Sequence, residues 1–144
     1  GGDSGPDDAS SAIAFGLQLY QAGRYEPALE AFLLSLELPG KGAVRRADSP
    51  RTFSTASEGE VQAALYNAAC CELALGRPDA ALQKLEALAE AGFDDLATMR
   101  SDPDLAALRG DPRFQLLLAR NSAAAALRGR NKDEEGGNKP WLMW

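Results

Sequence analysis

The chain has 144 residues, with 15 lysines and arginines against 21 aspartates and glutamates, a net charge of −6 and no histidine. That length suits one domain with a modest core. The acidity excludes wholesale binding to a nucleic-acid backbone, and the missing histidine removes the commonest general base and with it the usual serine or cysteine triads. No apolar run is long enough to span a bilayer as a helix.

Alanine and leucine dominate and strand-like alternation is absent, so the expected class is all-α. The chain begins Gly1-Gly2 without a signal or transit pattern, as a mature form or a fragment would. Residues 1–7, GGDSGPD, form a polar lead-in without expected fixed structure, and a helical domain is expected over 8–128. Asp8 or Ser10 caps a first helix running to about Ala22. Gly23 ends it, and a second helix runs from about Glu26, with Pro27 in its first turn, to Leu38, where Pro39-Gly40 stops it. The stretch 39–57, PGKGAVRRADSPRTFSTAS, reads as an inserted loop carrying Lys41, Arg45, Arg46 and Arg51 against one acid, Asp48. A loop of this length is either functional or simply solvated.

Ser57 and Glu60 have the spacing of a capping box and start the third helix. Gly76 and Pro78 mark the turn into a fourth. Cys70 and Cys71 are neighbours in mid-helix, where no bridge between them fits, so both are expected as free thiols in a reducing setting. One such pair without histidine makes no zinc site, and no metal or cofactor is expected. Asp102-Pro103 and Asp111-Pro112 each read as an N-cap followed by proline at the first helical position. They suggest short helices near 94–99 and 103–108 and a longer one at 112–120, which residues 122–128 extend or follow. These helices cover the open end of the preceding pair. Residues 129–144 are a linker-like tail ending in Trp141, Leu142, Met143 and Trp144, which hold both tryptophans of the chain. The tetrapeptide either packs on the chain's own core or anchors it to a partner or a membrane interface.

Residues 12–39 superimpose without gaps on 65–92. Gly16 falls on Ala69, Gly23 on Gly76, Ala28 on Ala81 and Phe32 on Leu85. This spacing of small residue, glycine, alanine and bulky apolar residue resembles the tetratricopeptide repeat, and the separation of Gly23 from Gly76 exceeds that repeat's period of about 34 by roughly 19 residues, the length of the loop. The resemblance implies two helical hairpins whose first helices line a concave groove. Ile13, Leu17, Tyr20 and Gln21 would face it in the first copy, and Tyr66, Asn67, Cys70 and Leu73 in the second. Members that clamp a peptide carboxylate use lysines, arginines and asparagines there. Only Asn67 matches, so the groove reads as apolar and aromatic, suited to a hydrophobic or helical segment.

The wording between the repeats is more specific. ELPGKGAVRRADSP, GEVQAALYNAACCELALGRPDAAL and AGFDDLATMRSDPDLAALRGDPRF resemble the C-terminal half of the thylakoid-enriched PDZ–tetratricopeptide proteins of plants and green algae, over about residues 12–120. That resemblance implies a non-enzymatic factor for photosystem II assembly and repair. It would bind photosystem II core subunits on the stromal face of the thylakoid, with peripheral membrane contact and no nucleic acid. The alternative is a generic soluble adaptor, cytoplasmic, that binds a peptide of an unrelated complex.

Overall fold

The computed structural model describes residues 5–45, 47–48 and 51–127. Two helical hairpins come first in the fold, with a small sheet inserted between them. Helices α1 (Ala9–Gln21) and α2 (Tyr25–Ser35) form the first hairpin. Strands β1 (Gly42–Arg45) and β2 (Thr52–Thr55) follow, then α3 (Glu58–Ala74) and α4 (Pro78–Glu90) as the second hairpin. Helix α5 (Leu96–Ser101), a 3₁₀ helix (Pro103–Leu108) and α6 (Pro112–Leu127) complete it.

Local chemistry sets most of these boundaries. Asp8 accepts the Ser11 N–H at 2.8 Å and starts α1. Gly23 and Gly76 both sit at φ +77°, the left-handed conformation that lets each hairpin reverse direction within a few residues. Helix α2 stops at Ser35 rather than Leu38. The N–H groups of Leu36, Glu37 and Leu38 reach back three residues instead of four, and the Ser35 hydroxyl donates to the Phe32 carbonyl at 2.6 Å. Helix α6 continues through Leu127, so the alanine run extends the last helix.

The described chain is mostly helical, as the all-α expectation has it, with one exception in a small sheet. The inserted stretch holds a two-stranded antiparallel hairpin in which Gly42 pairs with Thr55, Ala43 with Ser54, Val44 with Phe53 and Arg45 with Thr52. Thr52-Phe53-Ser54-Thr55 carries the β-branched and aromatic residues that favour a strand, but four residues are too few for alternation to show. The rest of the described chain is helical wherever it is regular.

Helix α3 is the centre of the fold. Its Ala63, Ala68 and Cys71 pack into one core with Ile13, Leu29 and Phe32 of the first hairpin. Its Leu65, Tyr66, Ala69 and Cys70 pack into a second with Leu85, Met99, Leu105 and Phe114. Buried on both sides, α3 has no polar face to read as amphipathic. Small residues permit the close approach: Ala28 and Ala81 are fully buried, and a Cβ on Gly16 would lie 2.6 Å from the Phe32 ring. Arg77 joins the hairpins by bonding Glu26 of α2, and within the second hairpin Glu72 of α3 takes Arg77 at 3.3 Å and Lys84 at 3.2 Å.

Candidate functional site

Two surfaces follow from the sequence, the concave face of the hairpins and the basic insertion. On the concave face the structure separates the eight expected residues. Ile13 belongs to the first core, and Tyr66, Asn67 and Cys70 are all under 4 % exposed. Leu17, Tyr20 and Leu73 are half-buried, and Gln21 is exposed. Four of the eight are therefore withdrawn from solvent, which corrects the groove as drawn from the repeat.

For Tyr66 and Cys70 the reason lies downstream. The 3₁₀ helix packs against α3, and the Tyr66 hydroxyl donates to the Asp102 carboxylate that caps it. Asp102 also accepts the Asp104 N–H at 2.9 Å. The Tyr66 ring meets Phe93 at 5.6 Å between centroids. Burial first, then the bond to Asp102, pushes the Tyr66 phenol well above its ordinary range. Asn67, the single match to a carboxylate clamp, spends its amide on the Ala63 carbonyl at 2.8 Å within α3. The downstream segment thus covers Tyr66 and Cys70 of the second copy.

What stays accessible is a strip of Leu17, Tyr20, Gln21 and Leu73 with the exposed Asp104 beside it. Tyr20 stacks edge-on against Tyr25 at 5.2 Å. Its hydroxyl is shifted up, by burial first and then by Cys70 and Asp104 nearby. Neither cysteine is in a disulfide and both are buried, and burial pushes the Cys71 thiol up to about 12, far from a reactive thiolate. Cys70, Asp102 and Asp104 bring one ligand atom each within 4.8 Å of one another, a grouping that the helix-cap reading of the two aspartates did not reveal. Asp102 is already the acceptor for Tyr66 and for the cap.

The basic insertion is built on a residue that sequence reasoning took only as a cap. Ser57 and Glu60 form the expected reciprocal box, with Ser57 N–H donating to Glu60 Oε1 at 2.8 Å. The same Oε1 accepts the Lys41 N–H at 2.9 Å, and Oε2 accepts the Ser10 hydroxyl at 2.7 Å. Glu60 therefore ties α1, the root of the hairpin and α3 at one buried point. Burial alone would raise its carboxyl, but the bonds from Ser57, Lys41 and Ser10 outweigh that and hold it down at about 2. Ala9 N–H to the Pro39 carbonyl at 2.8 Å, and the Ser54 hydroxyl to the Gly40 carbonyl at 2.6 Å, complete the anchorage. A Cβ on Gly40 would lie 2.4 Å from Glu60, so the approach requires glycine.

From this root the hairpin carries exposed Lys41, Arg45 and Arg51, with Val44 also in solvent. Arg46 lies outside the described residues, as do Trp141, Leu142, Met143 and Trp144. The capping box was the one sequence signal for Glu60, and nothing local could show its long-range partners Ser10 and Lys41.

Comparison with known proteins places a plant sequence beside this one. The chain is similar to a chloroplastic protein of Arabidopsis thaliana. Identity is 36% over 103 residues, which cover 72% of this chain and 26% of that protein. The chain thus spans about a quarter of the length of the curated relative it matches. No protein-family model matches the chain, and no solved structure matches it.

Proposed function

We propose that this chain is a tetratricopeptide-type protein-interaction module without enzymatic activity, related to the thylakoid-enriched PDZ–tetratricopeptide proteins. In this reading it works in the chloroplast as an assembly or repair factor, docking from the stromal side on a photosystem II core intermediate. The observation that carries the chloroplast assignment is the similarity to a chloroplastic Arabidopsis protein across most of the chain. The repeat assignment is supported by the two superimposable hairpins, each turned at a glycine with φ +77° and each burying its matching alanine, Ala28 or Ala81. Peripheral contact suits the absence, among the described residues, of any helix long and apolar enough to cross a membrane.

Docking in this reading uses two features together. The accessible strip of Leu17, Tyr20 and Leu73 offers apolar contact to a hydrophobic or helical segment, and the pinned hairpin presents Arg45 and Arg51 to acidic groups beside it. The test is fractionation of thylakoids carrying the protein, followed by a salt wash and affinity capture from the released fraction. Release by salt together with capture of photosystem II core subunits is the expected result. A wholly soluble pool that captures no photosystem subunit refutes this reading and leaves the soluble adaptor.

A further inference from the structure

The Ser54 hydroxyl closes the root of the β-hairpin like a clasp. It donates to the Gly40 carbonyl at 2.6 Å and accepts the Gly40 N–H at 3.2 Å, so one side chain holds both backbone groups of the residue that leads from α2 into β1. Ser54 is itself exposed, and it borders a recess of about 350 Å³ that Asp8, Lys41 and Glu60 also line. Both carboxylates there are charged at neutral pH. The Ser11 amide holds Asp8 below its ordinary range, and against its burial Glu60 is held down at about 2 by the bonds from Ser57, Lys41 and Ser10. Ser54 stands opposite Ala43 in a ladder of two strands, and so small a ladder opens locally at little cost. Three residues ahead of it, in Arg51-Thr52-Phe53-Ser54, is the exposed Arg51. An arginine at that spacing is the charge by which arginine-directed protein kinases select a serine.

We propose that Ser54 is a phosphorylation site for an arginine-directed protein kinase, and that its modification releases the root of the hairpin. The Ser54 Oγ attacks the γ-phosphorus of a nucleoside triphosphate. The Oγ–P bond forms, the bond to the β,γ-bridging oxygen breaks, and the nucleoside diphosphate leaves with that electron pair. The hydroxyl proton passes to the catalytic carboxylate of the kinase. The ester oxygen left behind has no hydrogen to give the Gly40 carbonyl. The phosphate also brings about −1.5 to −2 charges at neutral pH into a recess that already holds the Asp8 and Glu60 carboxylates. Against these, Lys41 is the one cation among the described residues that line it. Arg45 lies on the same face of the sheet as Ser54, one diagonal step across the ladder, because Arg45 pairs with Thr52 and Ala43 with Ser54. A phosphate that turns toward Arg45 turns away from Gly40, so this attraction opens the clasp as well and occupies an arginine that docking uses. The stretch 39–57 carries four cations and one acid, a net +3, which the phosphate lowers to about +1. Phosphorylation therefore turns docking off, a consequence that rests on the function proposed above; release of the root does not.

The experiment treats the full chain with a purified calcium/calmodulin-dependent protein kinase and magnesium ATP. Tandem mass spectrometry locates the phosphate, and hydrogen exchange at the Gly40 and Lys41 amides follows the root. Ser54→Ala and Arg51→Ala are run beside the wild type; both positions are exposed, and circular dichroism checks that each variant folds. The expected result is phosphate on Ser54 of the wild type, incorporated severalfold more slowly in Arg51→Ala. Exchange at the two amides should be severalfold faster in the phosphorylated chain than in Ser54→Ala, which loses the clasp without gaining charge, at unchanged helix content. A wild-type chain that takes no phosphate at Ser54 overturns the proposal, and incorporation indifferent to Arg51→Ala overturns the recognition by arginine. Exchange that the phosphate leaves unchanged overturns the release. Slower exchange does so too, in favour of a phosphate that Lys41 and Arg45 tie to the root. None of these measurements involves a partner, so they stand or fall separately from the docking proposed above.

Discussion

Replacing Glu60 tests the anchorage of the hairpin most directly. Its carboxylate is buried and accepts three hydrogen bonds, from Ser57 N, Lys41 N and Ser10 Oγ. Glu60→Ala leaves two part-buried amides without their acceptor, at about 1–3 kcal/mol each before water relieves some of the loss. The titration gives an independent magnitude. Its carboxyl falls from 4.5 to about 2 on folding, which corresponds to about 3 kcal/mol of stability at neutral pH. The two routes agree on about 3 kcal/mol for Glu60→Ala. Glu60→Gln stands in for the protonated carboxyl and should cost about the same, about 3 kcal/mol at neutral pH. The sign of the pH effect is fixed by the lowered value. The contribution is complete above pH 4.5 and is lost as pH falls through 2, so the gap between wild type and Glu60→Gln should close across that window. Urea denaturation from pH 7 downward reads the gap, and hydrogen exchange at the Lys41 amide shows whether the root loosens. A gap that stays constant from pH 7 to 2, or a Glu60→Ala variant as stable as wild type, would refute the reasoning.

Three further outcomes are expected. Ala81→Leu places a bulky side chain where α4 meets α3 with no free space, and thermal melts should show a loss of about 1–3 kcal/mol. Tyr66→Phe removes the hydroxyl that bonds Asp102 and should cost about 1–3 kcal/mol in urea denaturation, because a buried acceptor loses a donor; a neutral result would mean that the cap holds the 3₁₀ helix alone. Replacing Arg45, Arg46 and Arg51 together by alanine should weaken partner binding and flatten its salt dependence, since such steering is screened over roughly 8 Å at physiological ionic strength. Unchanged affinity and salt dependence in a binding titration would reduce the hairpin to a spacer.

The helices were legible because their signals are local. Gly23 and Gly76 announce the reversals, Ser57 and Glu60 the start of α3, and Asp102-Pro103 the start of the 3₁₀ helix, each within four residues of what it controls. Two features were not legible for the opposite reason. The β-hairpin depends on Glu60 reaching back to Lys41 and Ser10, a contact that no short window of sequence contains. The fate of the groove depends on where the chain goes after Gly92. Tyr66 and Cys70 have the spacing of groove residues, and they would line a groove if the 3₁₀ helix did not lie over them. Repeat periodicity assigns a face to a residue; it does not say whether another part of the chain has already covered that face.

That covering decides where recognition can happen. With α3 enclosed between two cores, the proposed docking is left to the half-buried strip of Leu17, Tyr20 and Leu73 and to the hairpin. The hairpin has a physical advantage as a docking element. A free loop of its length would lose much of its interaction energy to ordering on contact. The root and the two strands of this one are set in advance, because a buried carboxylate, a serine hydroxyl and the Ala9–Pro39 bond fix the root to the helices. Arg45 and Arg51 are therefore presented from a platform joined to the middle of the fold, and charge carried in that way can select a partner's orientation as well as attract it.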